Sequence, residues 1–289
     1  MKIAVINGSP KGKFSITLQT FKYLEKLHPE HEFSVLDAGQ KIKSLEKDFS
    51  AAKEAVENAE LIIFSYPVYT FVAPCQLHRF IELMKEKGAE TKGKFVTQFS
   101  TSKHFYDVTA HNYIRDNCFD MDMKYIKGLS ADMDDLLTEK GQQEASAFFD
   151  FVCQCMEKGH CEPAPETLPA PKHLPVTVPI AGAGDKTGDV VILTTCAEDD
   201  IQLQSMIDRF RAIFPRKTRV INIRQYPFRG GCLGCFGCAT TGKCVYTDGF
   251  DDFLRNTIQT AESMVYAFSI EDHSMGSRFK MYDDRNFCN

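Results

Sequence analysis

The sequence predicts an α/β protein in which a doubly wound parallel sheet, covered by helices on both faces, is followed by a partial second unit of the same kind. The first unit is predicted because short apolar runs alternate with apolar residues at helical spacing over about the first 160 residues. The second unit is predicted because the same alternation restarts after a stretch rich in proline and glycine.

The first unit is expected to contain five strands and four or more helices. Apolar, β-branched runs predict strands at Lys2–Asn7, Phe33–Leu36, Leu61–Ser65, Phe95–Phe99 and Met123–Ile126. Apolar residues at helical spacing predict helices at Ser15–Leu27, Phe49–Ala59, Leu77–Met84 and Leu136–Met156. Five strands in about 160 residues fit the flavodoxin-like order, which binds its ligand where the strand order reverses.

The second unit follows residues 162–188, which hold six of the twelve prolines of the chain and predict an extended linker. Strands are predicted at Asp189–Thr195, Arg219–Ile223 and Ser263–Phe268, with helices at Ile201–Phe214 and Asp251–Ala261. The segment NAELIIFSYPVYTFVAPCQLHRFIELM matches TAESMVYAFSIEDHSMGSRFKMYDDRN in its order of strand, loop and helix, which indicates an internal duplication. We therefore expect a flavodoxin-like domain over residues 1–161 and a degenerate, shortened copy over 189–289, in a natural chain that continues further.

Composition and charge exclude two classes of partner. The 289 residues carry a formal net charge of −5, so the basic surface that a nucleic-acid backbone requires is missing. No apolar run approaches the ~20 residues of a membrane span, and the run after Lys2 is too short for a signal peptide. We expect a cytoplasmic protein, where clustered cysteines indicate metal or redox chemistry more often than disulfides.

The loop after the first strand, GSPKGKFSIT, is suited to holding a phosphate. It places Ser9, Ser15 and Thr17 hydroxyls and the Lys11 charge at the start of a helix, whose first N–H groups have no helical partner. A plain turn with an N-capping serine accounts for the same residues without any ligand. The loop matches neither the Walker pattern nor GxGxxG.

Two more strand-end loops are expected on the same edge of the sheet. The loop YPVYTF carries Tyr69 and Phe71, which are suited to flank a planar ring, and STSKHFYD carries Thr101, Ser102 and His104. Three such loops together indicate a site for a planar, phosphorylated cofactor. Taken alone, His104 is more typical of a surface histidine than of an acid or base.

The combination of INGSPKGKFSIT with SYPVYTFVAPCQLHRFIELM resembles the NAD(P)H-dependent FMN reductases of the flavodoxin-like superfamily, over residues 1 to about 155. Two positions depart from that pattern, because Ile16 stands where asparagine is usual and Tyr66 separates the usual serine–proline pair. The resemblance implies that an FMN phosphate is held by Ser9, Lys11, Ser15 and Thr17, with Pro10 in the same loop. It implies that the isoalloxazine is lined by Pro67, Val68, Tyr69 and Thr70. It also implies that the 100–106 loop, with Thr101 and Ser102, closes the other side of the ring.

The second copy is not expected to bind a second flavin. Where the first copy has its phosphate loop, this copy has Cys196-Ala197-Glu198-Asp199-Asp200. Three carboxylates at a helix N-terminus suit the helix dipole and would repel a phosphate. Solvated capping acids are a commoner explanation for them than a metal or acid–base site.

Four closely spaced cysteines mark the second copy. The segment GCLGCFGCATTGKC places Cys232, Cys235, Cys238 and Cys244 within thirteen residues, among glycines that let the backbone wrap tightly. Four thiolates can hold an iron–sulfur cluster or zinc, although zinc sites usually use two separated pairs. The spacing resembles that of the iron–sulfur flavoproteins, which implies a [4Fe–4S] cluster beside FMN, while a labile disulfide and plain thiols stay open as alternatives.

We expect from these features an FMN-dependent oxidoreductase that takes a hydride from NAD(P)H and passes electrons to a quinone, a flavin, an aromatic acceptor or the cluster. The resemblance also implies a homo-oligomer, a dimer or tetramer. Two other functions fit parts of the pattern: an electron carrier without its own substrate, and a zinc-stabilised binding module without catalytic activity.

Overall fold

Two parallel sheets organise the computed structural model, which describes residues 1–103, 107–166 and 186–287. The chain divides into two compact units. The first comprises Met1–Ala164 together with two later segments, Gly231–Gly234 and Asp272–Asp284. The second comprises the remaining residues from Pro165 onward.

The sheet of the first unit has the flavodoxin-like strand order β2-β1-β3-β4-β5, with β6 pairing to β4. All of these pairs are parallel, which confirms the predicted fold class. The strands are β1 Lys2–Asn7, β2 Glu32–Leu36, β3 Leu61–Pro67, β4 Phe95–Ser102, β5 Lys124–Tyr125 and β6 Leu129–Asp132. The helices are α1 Ile16–Leu27, α2 Ala38–Lys47, α3 Ser50–Glu57, α4 Cys75–Glu86, α5 Val108–Asp120 and α6 Glu139–Lys158.

Helices cover both faces of this sheet, because the central strands are apolar on both sides. In β1, Ala4 and Ile6 pack in the core beneath α2, α3, α4 and α5, whereas Ile3 and Val5 pack in the core beneath α1 and α6. The loops that follow β1, β3 and β4 lie at the carboxyl edge of the sheet.

The second unit has three parallel strands in the order β8-β7-β9, the counterpart of β2-β1-β3. Leu203 and Ile207 of the helix after the first strand pack against Ile192 of that strand. Its strands are β7 Thr187–Thr194, β8 Arg216–Asn222 and β9 Ser263–Ala267. Its helices are α7 Ile201–Ile213, α8 Gly237–Thr241 and α9 Phe250–Phe253, and α10 Gly276–Arg285 follows β9.

Three features differ from the sequence-based expectations. The chain forms β6, α2, α5 and the short α8, which were not predicted. The helix predicted at Asp251–Ala261 is short α9 followed by a π-helical turn at Leu254–Ile258. Most of α10 packs with the first unit, although its sequence belongs to the second copy. Residues 167–185 of the predicted linker lie outside the described residues, and among the described helices none is long and apolar enough to cross a membrane.

Candidate functional site

The loop after β1 turns tightly before α1 begins. A 3₁₀ turn at Gly12–Phe14 leads to Ser15, whose Oγ accepts the N–H of Leu18 and so caps α1. Ser9 Oγ accepts the N–H of Lys11 at 3.3 Å. Each hydroxyl accepts a bond inside the loop and keeps its own O–H proton available to donate. The first turn of α1 contains no acidic residue.

Asn7 holds this loop in shape and was missed in the sequence. Its Nδ2 donates to the carbonyl of Gly12 at 3.0 Å and to Asp37 Oδ1 at 2.9 Å, while its Oδ1 accepts the N–H of Ser9 at 3.2 Å. The signal in the sequence was an amide side chain at the last position of a buried strand. Since Asn7 is fully buried, these bonds satisfy its whole amide group and fix the start of the loop.

A buried pair of hydroxyls joins the first loop to the end of β4. Thr17 Oγ1 and Thr101 Oγ1 lie 2.6 Å apart, and both residues are buried. The carbonyl of Thr101 also accepts the N–H of Val68 at 2.9 Å. Residues predicted on three separate loops therefore meet at one point on the carboxyl edge of the sheet, with Ser102 half-buried beside Thr101.

The loop after β3 is a tight turn with a strained backbone. The N–H of Tyr69 donates to the carbonyl of Val72 at 2.9 Å, and the N–H of Val72 donates back at 3.1 Å. Thr70 and Phe71, the two central residues, have φ of 47° and 67°, a conformation that glycine or asparagine usually supplies in such a turn. Left-handed backbone in other residues costs about 1–3 kcal/mol each, so the surrounding structure must hold this turn in place.

Tyr66, the residue inserted in the serine–proline pair, points into the core. It is fully buried, and its Oη donates to Gln98 Oε1 at 2.5 Å. Burial raises the pKa of the Tyr66 phenol well above its ordinary value, so the phenol stays protonated. With Tyr66 buried in the core, Pro67 is the last residue of β3, and the turn forms after it.

A histidine of α5 contacts the last part of β4. His111 Nε2 is 2.8 Å from Ser100 Oγ, and burial lowers the pKa of this imidazole despite the neighbouring Asp107. His111 is therefore a neutral hydrogen-bonding partner of Ser100 near neutral pH. The predicted loop residues 104–106, including His104 and Tyr106, lie outside the described residues.

The cysteine segment does not have the arrangement expected of a cluster. Within the described parts of the chain, no group of three or more histidine, cysteine, aspartate or glutamate side chains is placed to hold a metal ion. The sulfur of Cys238 faces the carbonyl of Phe287 at 3.7 Å, and that of Cys244 accepts Arg285 Nη2 at 3.3 Å. The [4Fe–4S] cluster and the zinc site expected on Cys232, Cys235, Cys238 and Cys244 are therefore not supported.

Arg285 organises this part of the second unit instead. Its guanidinium makes two hydrogen bonds to Asp248, at 2.6 and 2.8 Å, and lies 4.4 Å from the centroid of the Phe250 ring. Both members of the pair are buried. A planar guanidinium suits both a carboxylate and an aromatic face, which explains why an arginine can be buried here.

The first loop of the second copy is a helix cap. Asp200 Oδ1 accepts the N–H of Leu203 at 3.0 Å, and its other oxygen accepts the hydroxyl of Ser269. Asp200 therefore caps α7, as the simpler explanation of the acidic loop predicted. A carboxylate occupies the helix start at which a phosphate would have to bind.

Comparison with known proteins bears on the first unit. Residues 1–134 match the family model of NADPH-dependent FMN reductases. No curated protein matches the chain. Similar solved structures include an NADH:FMN oxidoreductase (EMOB) in its apo form, with 19% identity, 52% of this chain and 87% of that chain covered, and a TM-score of 0.46. An NADPH-quinone reductase from P. pentosaceus is 17% identical, with 53% of this chain and 98% of that chain covered and a TM-score of 0.43. General stress protein 14 of Treponema denticola, in complex with FMN, is 13% identical, with 54% of this chain and 98% of that chain covered and a TM-score of 0.40.

The strand order and the family match agree over the first unit. Its strand order is flavodoxin-like, and its first 134 residues carry the sequence pattern of the FMN reductase family. The resemblance noted in the sequence is confirmed over residues 1–134. The family description names both NADPH and FMN.

Proposed function

We propose that the protein is an FMN-dependent NAD(P)H oxidoreductase that passes electrons to a small acceptor: a quinone, a flavin or an aromatic compound. The observation that carries the proposal is the buried hydroxyl pair of Thr17 and Thr101, which joins the loops after β1 and β4 at the carboxyl edge of the sheet. In parallel α/β sheets this edge is where ligands bind.

The donors around the first loop fit a phosphate. Ser9 and Ser15 each accept one hydrogen bond and keep an O–H group to donate. Thr17, in the first turn of α1, shares a hydrogen bond with Thr101. The start of a helix favours an anion through its first N–H groups. Lys11 is exposed and adds a positive charge, while the first turn of α1 lacks a carboxylate that would oppose it. We infer that these residues hold the FMN phosphate, with Pro10 shaping the turn.

The remaining loops would hold the ring. Pro67, Val68, Tyr69 and Thr70 would support the isoalloxazine, with Thr101 and Ser102 beside it. When bound, FMN supplies the chemistry, since it accepts a hydride and releases electrons singly or in pairs. The task of the chain is then to bind and orient the cofactor, and no side-chain acid or base is assigned.

Steady-state oxidation of NADH and NADPH by the full chain, reconstituted with FMN, tests the proposed function. We expect the oxidation rate to rise when a benzoquinone, an azo dye or free FMN is added as acceptor. The double variant Thr17→Val/Thr101→Val, which keeps the packing volume but removes both hydroxyls, should lose FMN and activity together. Bound FMN without any oxidation of NADH or NADPH would instead indicate an electron carrier.

We further propose a cytoplasmic, homo-oligomeric protein. The support is the family resemblance of the first unit together with the acidic net charge of −5. Sedimentation of the FMN-loaded chain tests the oligomeric part, because a mass equal to one chain at micromolar concentration would contradict it.

A further inference from the structure

We propose that the C-terminal part of the chain completes the flavin site by fixing Tyr69 from two sides. In this proposal Lys280 is a positioning residue for the backbone of the Tyr69 turn, and Gly234 is a positioning residue for the Tyr69 ring. The inference rests on the proposed function, and it concerns residues beyond the 134 that match the FMN reductase family. Both segments involved, Gly231–Gly234 and Asp272–Asp284, are part of the first compact unit.

Lys280 is a fully buried lysine that reaches the turn. Its Nζ donates to the carbonyl of Tyr69 at 2.8 Å, to Asp283 at 3.0 Å and to Asp284 at close range. Burial opposes the charged form, but the two carboxylates outweigh it and raise the pKa of Lys280 above its ordinary value. The ammonium group thus donates one of its three N–H groups to the backbone of the turn.

The carbonyl of Tyr69 is the atom on which the turn depends. It accepts the N–H of Val72, which closes the turn around the left-handed residues Thr70 and Phe71. A second, charge-assisted hydrogen bond from Lys280 to this oxygen fixes the peptide plane between Tyr69 and Thr70. A strained turn persists only where its surroundings hold it, and Lys280 supplies such a contact.

Gly234 acts on the other end of the same residue. Its backbone has φ of +60°, and a Cβ placed there would lie 2.2 Å from Tyr69 Oη and 3.4 Å from Lys11 Cε. Only glycine lets the chain approach the phenol so closely. The cysteine segment therefore begins against two residues that are assigned to the FMN site.

The experiment uses the full chain and measures the dissociation constant of FMN and the visible circular dichroism of bound FMN. Gly234→Ala is compared with Gly242→Ala, because Gly242 has a similar φ of +64° but a Cβ there makes only ordinary contacts with Arg255. Lys280→Met is compared with Ser277→Ala, which weakens the contact of α10 with Glu82 without touching Tyr69. Since Lys280→Met leaves the carboxylates of Asp283 and Asp284 without their charged partner, Lys280→Met/Asp284→Asn provides a second variant that also removes the charge of the fully buried Asp284.

We expect Gly234→Ala and the Lys280 variants to weaken FMN binding about tenfold or more and to change the flavin dichroism, while each control stays within about twofold of wild type. Equal losses in test and control variants would overturn the inference, as would unchanged binding and dichroism in the test variants. If the wild-type chain binds no FMN, the proposed function itself fails. The two failures are therefore distinguishable.

Discussion

The carboxylate of Asp284 accepts the backbone N–H of Cys75 at 2.8 Å, so the end of α10 caps the start of α4. The reverse contact is also present, because Glu82 of α4 accepts the N–H and the hydroxyl of Ser277 at the start of α10. In the duplicated sequence Cys75 aligns with Ser277 and Glu82 aligns with Asp284. The same carboxylate-to-helix contact thus occurs twice between the antiparallel helices α4 and α10. Each carboxylate lies at the N-terminal end of the other helix, where the helix dipole favours negative charge.

Removal of this cap should destabilise the first unit. Asp284→Ala takes away the partner of the Cys75 N–H and leaves Lys280 with a buried, partly uncompensated charge, so we expect a loss of about 3–5 kcal/mol in the free energy of unfolding. Urea denaturation measures this free energy for the variant and for wild type. Asp283→Asn is the matched control, because Asp283 is more exposed and leaves the cap intact. A loss for Asp284→Ala no larger than for this control would contradict the account.

Lys11 should matter for the cofactor and not for folding. Lys11→Ala removes an exposed charge from the proposed phosphate site, and one charge-assisted contact is worth about tenfold in affinity. We expect weaker FMN binding by about that factor, a smaller difference at high salt, and an unchanged melting temperature. Lys22→Ala, on the exposed face of α1, is the control. Equal affinity of both variants would argue against a phosphate beside Lys11.

Acid should weaken the second unit through Asp248. Burial alone would raise the pKa of this carboxyl, but the hydrogen bonds from Arg285 outweigh it and lower its pKa to about 2. Because this value lies below the 3.8 of an ordinary aspartate, the pair stabilises fully above about pH 4 and loses its contribution as the pH falls through about 2. This lowering of the Asp248 pKa corresponds to about 2 kcal/mol in the free energy of unfolding.

Unfolding by urea between pH 5 and pH 2, followed for Asp248→Asn and wild type, measures this contribution. The variant should be less stable at neutral pH, because Arg285 loses its charged partner, and its stability should depend less on pH in the acid range. A variant whose stability falls as steeply with acid as that of wild type would exclude Asp248 as the cause.

The alternation of apolar runs predicted most of the fold but not all of its helices. The strand Lys2–Asn7 was predicted to the residue, since it is apolar, short and followed by glycine. In contrast, α2 has only a few apolar residues among lysines, so its apolar stripe is short and narrow. In α5, polar and apolar residues are mixed around the circumference, so this helix gives no clear periodic signal.

Sequence reasoning could propose site residues only where they follow the ends of predicted strands. The three loops follow strand ends and could be assigned to one edge from topology alone. Lys280 could not be found this way, because a lysine in a polar helix is normally exposed and its burial depends on Tyr69 and Asp284, which the fold brings to it. The cysteine spacing alone could not decide whether a metal is bound, because spacing does not reveal the partners of the sulfur atoms, such as Arg285 for Cys244.

Thiol labelling should separate the cysteines by burial. Burial raises the pKa of the buried Cys75 and Cys118 thiols, and the Asp284 carboxylate adds to the effect at Cys75. Iodoacetamide at pH 8 should therefore modify the exposed Cys161 and Cys235 first and leave the buried pair intact until the chain unfolds. Peptide mass spectrometry measures the order, and prior treatment with a chelator should not change it. Labelling of Cys235 that requires the chelator would indicate a bound metal.

The central claim is that the first unit alone carries a flavin site. Titration of the full chain with FMN, followed by anaerobic addition of NADPH, tests it most directly. We expect one FMN bound per chain, because the helix start in the second copy is capped by Asp200. We also expect the visible absorbance of the bound FMN to be lost on reduction. Binding of two FMN molecules per chain, or of none, would contradict it.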